Sequence, residues 1–124
     1  MTDIQRFPSP LRAPLSKAVV VGGFLFLSGQ TPKNADLTPL RGSIQDQTRN
    51  VIEAIRASLS EFGVGLEAVV RCTCWLSDIG LMAEFNGVYE EYFGNALPVR
   101  STVEARLSND VDVEIEVTCW TGQA

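Results

Sequence analysis

Val111-Asp112-Val113-Glu114-Ile115-Glu116-Val117 alternates apolar and polar side chains without a break. That two-residue period marks a β-strand with one buried face. The predicted strand runs about 111–120, and its polar face carries Asp112, Glu114, Glu116 and Thr118. Just upstream, Pro98-Val99-Arg100-Ser101-Thr102-Val103-Glu104 places a lone arginine at the start of another predicted strand, about 101–106. If the two strands pair, a guanidinium and a carboxylate share one small site. Arginine is the side chain best shaped to grip a carboxylate through two parallel hydrogen bonds. A nearby glutamate can orient or activate a water. The pair points to chemistry on a small carboxylic acid.

Working outward, Val19-Val20-Val21 and Phe24-Leu25-Phe26-Leu27-Ser28 flank Gly22-Gly23 and predict a β-hairpin with a tight glycine turn. A polar loop with two prolines follows, from Pro32 to Arg41. Ser43 then caps a predicted helix running to about Phe62. Ile44, Val51, Ile52, Ile55, Leu59 and Phe62 recur at three- and four-residue steps on one apolar face. Gly63 and Gly65 end it. Residues 69–76 read as a strand. Asp78 begins a second predicted helix to about Phe93, with Met82, Phe85, Val88, Tyr89 and Phe93 as its buried stripe. Gly94 stops it, and the last two strands are joined by Ser108-Asn109-Asp110.

The order is β-β-α-β-α-β-β, an α+β class with a two-layer arrangement: one mixed sheet and two helices on one face. The other face needs a cover the helices cannot supply. Trp75, Val103, Phe24 and Phe26 are expected there, so a homo-oligomer packed through its sheets, as a closed ring, is the expectation.

At 124 residues, 45% hydrophobic and 20% charged, the chain reads as one ordinary globular domain spanning 1–124. Its net charge is −5, its isoelectric point near 4.6, and it has no run of lysine and arginine. Nucleic acid and anionic membranes are therefore not expected as partners. Met1-Thr2-Asp3-Ile4-Gln5-Arg6 lacks the charged start and apolar run of a signal peptide. No apolar segment approaches the roughly 20 residues of a membrane span. The expectation is a cytoplasmic protein.

The three cysteines are Cys72, Cys74 and Cys119. An odd count argues against a disulfide framework. Cys72 and Cys74 fall on the same face of one strand, as a thiolate pair for a metal or as small apolar core residues. With three cysteines and no histidine the chain falls short of a four-ligand zinc site, so no metal is expected. The missing histidine also excludes Ser-His-Asp and Cys-His nucleophilic catalysis.

Four motifs stand in order along the chain: Phe26-Leu27-Ser28-Gly29-Gln30-Thr31-Pro32, Gln47-Thr48-Arg49-Asn50-Val51, Phe85-Asn86-Gly87-Val88-Tyr89, and residues 98–104 followed by Glu114-Ile115-Glu116. Together they resemble the reactive intermediate deaminase (RidA, also YjgF) family, from about Ala13 to Val117. The resemblance implies a chorismate-mutase-like fold and a homotrimer whose sheets form a central barrel. It implies active sites in the clefts between subunits, and cofactor-free hydrolysis of small enamine or imine carboxylates, such as 2-aminoacrylate, to 2-oxo acids and ammonia. By this resemblance Arg100 binds the substrate carboxylate and Glu114 sits near the attacking water. Gly29 brings its backbone to the ligand, while Thr102 and Asn86 stand near the cleft. One departure matters. Active deaminases of the family carry Gly-Pro-Tyr-Ser-Gln-Ala where this chain has Ala13-Pro14-Leu15-Ser16-Lys17-Ala18, so Leu15 replaces a pocket tyrosine.

Each residue also has a structural reading. Arg100 can pair with Glu104 or Glu114, and Glu114 and Glu116 can be solvated charges worth roughly 0–1 kcal/mol. Gly29 can serve a turn, Asn86 can bond backbone, Leu15 can be plain lining, and Tyr89 and Tyr92 can pack the helix. Beside deamination stand a non-catalytic carboxylate binder using the Arg100 cleft and a deaminase for a larger enamine. Chorismate mutase activity has only fold analogy behind it.

Overall fold

The computed structural model describes residues 3–122; Met1 and Thr2, the start of the stretch read above for a leader, lie outside them. Along the chain come β1 (Gln5–Pro8), β2 (Ser16–Val21), β3 (Phe24–Leu27), α1 (Ile44–Ser60), β4 (Val69–Leu76), α2 (Met82–Phe93), β5 (Val99–Glu104) and β6 (Val113–Trp120). The expected α+β class holds, with one more strand than expected at the start.

The local chemistry explains most boundaries. Gly22 and Gly23 both adopt positive φ, 57° and 87°, the twist a two-residue hairpin needs. At α1 the Ser43 hydroxyl accepts from the Asp46 N–H at 3.0 Å, and the Asp46 carboxylate lies at the positive end of the helix dipole. The helix stops at Ser60, short of Phe62. That ring instead meets Phe7 edge-on, 5.0 Å between centroids, and anchors β1 against the helix layer. Gln5-Arg6-Phe7-Pro8 has one large apolar residue and a proline, so it carried no strand signal; it is an edge strand, paired only with β2. Asp78 caps a single 3₁₀ turn, Ile79–Leu81, accepting from the Gly80 N–H at 2.7 Å, and the regular helix begins only at Met82.

The sheet order is β1-β2-β3-β6-β4-β5. Here the structure departs from the pairing considered above: β5 and β6 are not neighbours, because β4 runs between them. β4 pairs with β5 in parallel and with β6 antiparallel. The reason is the α2 crossover. A strand-helix-strand unit returns parallel to the strand it left, so β5 lies on the outer edge of β4. The strands also start differently than expected: β5 begins at Val99 and includes Arg100, and β6 begins at Val113.

Both helices cover one face. Leu25, Leu27, Cys72, Cys74, Leu76, Ile115 and Val117 point into it from the sheet, against Val51, Ile52, Ile55, Leu59, Phe85 and Phe93. Burying each large side chain contributes about 1.5–3 kcal/mol. Cys72 and Cys74 thus share a face, as expected, and burial pushes the Cys74 thiol up to about 12. On the other face Phe24, Phe26, Val103 and Trp120 stay 40–45% exposed. Phe24 stands edge-on to Trp120 with centroids 5.1 Å apart, and Trp75 lies between Glu114 and Val103 on neighbouring strands. No described element covers this apolar face.

Candidate functional site

The register assigns the two charged candidates to opposite faces. Arg100 pairs with Cys72 and Thr102 with Cys74, both core residues, so Arg100 and Thr102 turn toward the helices. Glu114 pairs with Trp75, on the open face. The six predicted site residues fall into two groups, and one chain does not bring the groups together.

The first group surrounds Arg100. Its guanidinium carbon stacks over the Tyr89 ring at 4.7 Å and the Phe85 ring at 5.5 Å. One terminal nitrogen touches the Met82 sulfur at 3.8 Å. These contacts fix the cation without answering its charge. Neither carboxylate considered for it responds: Glu104 instead accepts from the Ile79 N–H at 2.9 Å, and among the described residues Arg100 makes no salt bridge. Nearby, Thr102 Oγ1, Asn86 Oδ1 and the Tyr89 hydroxyl are buried without a hydrogen-bond partner. The Cys72 thiol beside Tyr89 is only a weak acceptor. Burial, first of all, holds the Tyr89 phenol above its usual range, so it stays protonated. Thr102 shares β5 with Arg100, and Asn86 and Tyr89 lie on α2, whose rings stack on the guanidinium. The structural reading of Tyr89 was therefore incomplete: its ring packs, but it also supports Arg100. Tyr92 donates to Glu53 at 2.8 Å, and the Arg56 guanidinium lies over its ring at 5.2 Å.

The second group surrounds Glu114. Gln30 exchanges two backbone hydrogen bonds with Ile115, at 2.9 and 3.1 Å, which presses the Ser28-Gly29-Gln30 segment onto β6. A Cβ on Gly29 would overlap Glu114 Oε2, so Gly29 serves close approach rather than a turn. Burial raises the Glu114 carboxyl above its ordinary range, Lys33 pulls it back down, and Glu116 raises it. Glu116 itself is exposed. Leu15 shares a cavity of about 260 Å³ with Gly29, Gln30, Lys17 and Lys33. Half of Leu15 is exposed, and it offers this cavity only apolar surface. Lys33 was missed by the sequence reading, since a single lysine in a polar loop carries no signal; so were Phe85 and Met82, whose helical spacing marks them only as core.

A family model described as endoribonuclease L-PSP matches residues 7–120. A RutC family protein of Pyrococcus abyssi is 41% identical over 118 residues, covering 94% of this chain and 92% of its own length. Yeast Mmf1, solved by crystallography, superposes with a TM-score of 0.88 at 31% identity, covering 95% of this chain and 98% of that one. A Rid family protein of Yersinia pestis, YyfA, does so at 0.84 and 35%, covering 93% of each chain. The match in sequence and in fold spans nearly the whole chain, and the protein belongs to the RidA/YjgF family that the L-PSP model describes.

Proposed function

We propose that this protein hydrolyses small enamine and imine carboxylates, such as 2-aminoacrylate, to 2-oxo acids and ammonia, at sites shared between copies in a homotrimer. The observation that carries this reading is the unanswered guanidinium: Arg100 is half-buried, clamped by two aromatic rings, and has no counter-ion among the described residues. A substrate carboxylate supplies the missing partner through two parallel hydrogen bonds.

The reaction asks little more. The enamine tautomerises to an imine. Water adds its oxygen to the imine carbon and gives its protons to nitrogen. The carbon–nitrogen bond then breaks, ammonia leaves, and a carbonyl remains. Glu114 orients that water and accepts its proton, and its raised affinity for protons suits it to return one to the departing nitrogen. The chemistry itself calls for no metal or electron sink. Arg100 and Glu114 lie on opposite faces of one sheet, so a complete site takes Arg100 from one copy and Glu114 from another. The bare apolar face that holds Glu114 is where a second copy packs.

The endoribonuclease description favours RNA as substrate. The charge of −5 and the lack of a basic run argue against it, because RNA-binding surfaces answer the phosphate backbone with lysine and arginine. Three free buried cysteines fit a reducing compartment such as the cytoplasm. The described residues include no helix long and apolar enough to cross a membrane.

The test is hydrolysis of 2-aminoacrylate and 2-aminocrotonate generated in situ, comparing wild type with Arg100→Ala, alongside light scattering. Turnover by wild type, its loss in the variant, and about three times the chain mass are expected. A trimer that binds 2-oxobutyrate through Arg100 yet turns over neither enamine would make the protein a carboxylate binder instead.

A further inference from the structure

Beside Glu114 the chain builds a compartment that hydrolysis of so small a substrate leaves empty. The cavity of about 260 Å³ reaches Gly29, against which the Glu114 carboxylate lies. Pro10, Leu11, Leu15 and Leu37 give it an apolar side, beside three serines and Gln30. Two lysines also line it, and they differ. Lys17 is ion-paired with Glu61. Lys33 pairs with no carboxylate among the described residues. Its ammonium donates to Thr31 Oγ1 at 2.9 Å and leans on the Thr31 carbonyl at 3.4 Å, so donor capacity remains.

The root of Lys33 is held firmly. Asn50 accepts from its N–H at 2.8 Å and donates to its carbonyl at 2.9 Å, and Lys33 bridges Pro39 across the loop. The Lys33 charge acts on the Glu114 carboxylate but forms no ion pair, and a largely apolar sleeve lined by such a cation fits a methylene chain ending in an anion. A purely apolar tail would strip water from the Lys33 ammonium and return nothing.

We propose that this cavity takes the substrate's side chain, and that the favoured substrate is the imine of an amino dicarboxylic acid, its distal carboxylate on Lys33. The assignment rests on the deaminase reading for its chemistry but not for its binding. The α-carboxylate lies on Arg100 of a second copy and the imine carbon faces Glu114. Water adds at that carbon and ammonia leaves, giving a 2-oxo dicarboxylate; the distal carboxylate takes no part in the bond changes.

The experiment measures binding and turnover separately. Calorimetry compares 2-oxoglutarate with 2-oxopentanoate, which has the same chain length and no distal charge. An amino-acid oxidase supplies the corresponding imines from glutamate and norvaline for hydrolysis. Wild type is expected to prefer the dianion in both. That preference ratio should fall about tenfold in Lys33→Met, the loss of one charge-assisted hydrogen bond, and survive in Lys33→Arg. A wild type that prefers 2-oxopentanoate, or a ratio unmoved by Lys33→Met in a protein of unchanged circular dichroism and mass, overturns the assignment. Lys33-dependent binding without hydrolysis of either imine keeps the cavity assignment and removes the deaminase reading. Hydrolysis of both imines without preference does the reverse.

Discussion

Arg100 and Glu114 are held in opposite ways. Arg100 stands on the edge strand β5, and the aromatic rings of α2 fix its guanidinium while leaving its charge unanswered. Glu114 stands on the interior strand β6, pressed against the Gly29 backbone, where burial works against its ionisation. One half keeps a cation ready for an anion. The other gives a carboxylate a firmer hold on its proton than it has in water. Each lacks what the other supplies, and the sheet separates them within one chain.

The strongest way to break this comparison is to divide the halves between chains. Arg100→Ala and Glu114→Gln should each lower kcat/KM by roughly ten- to hundredfold, the range of a charge-assisted hydrogen bond of about 1.5–3 kcal/mol. Refolded together in equal amounts, they should recover activity, because about one shared site in four then holds both native residues. Mixed oligomers of the right mass that stay inactive would show that the halves do not meet across an interface.

Gly29→Ala attacks the Glu114 half alone. The new Cβ displaces the carboxylate, and kcat/KM should fall about tenfold while 2-oxobutyrate still binds through Arg100. Calorimetry beside kinetics checks this; equal loss of binding and turnover would merge the two halves into one.

A smaller effect is expected at Leu15. A tyrosine there can give a small substrate one hydrogen bond worth about 0.5–1.5 kcal/mol. Leu15→Tyr should therefore raise kcat/KM on 2-aminoacrylate by about threefold to tenfold at most. It should lower activity on substrates with longer side chains by filling the cavity that Leu15 lines. A gain on both would mean that the cavity does not hold the side chain.

The smallest effect is on stability and its pH dependence. The folded Glu114 carboxyl titrates above its unfolded value, chiefly through burial. Folding is thus favoured by the protonated form at low pH, and that advantage is lost as pH rises through the folded value. Glu114→Gln should melt slightly higher than wild type at pH 7, with the difference shrinking toward pH 4. In the wild type, the acid limb of kcat/KM should lie above 4.5, the ordinary value for the group. An acid limb at or below it would place Glu114 in a more solvated setting than the fold gives it.

Much of the architecture was legible because it is local. The alternation in residues 111–117 and the three- and four-residue steps of α1 each record one buried face, and a buried face is written into side-chain polarity. Ser43, Gly22 and Gly23 act within a few residues, so their turns and caps could be read directly. The exposed apolar face was legible by the same count: two helices cannot cover both sides of a sheet. Strand β1 was not, because Phe7 is its single anchor and finds Phe62 far along the chain.

The candidate site divides along the same line. Arginine and glutamate in strands of known phase, together with the family motifs, marked Arg100 and Glu114 from the sequence. That they face opposite ways, with β4 between them, follows from strand order. Strand order depends on where the α2 crossover returns β5, a contact between distant segments that no local period encodes. The same holds for Tyr89 beside Arg100 and Lys33 beside Glu114. Side-chain polarity along the chain is enough to say which residues are buried and which carry charge; only the folded sheet decides which charges meet, because that depends on pairings made across the whole length of the chain.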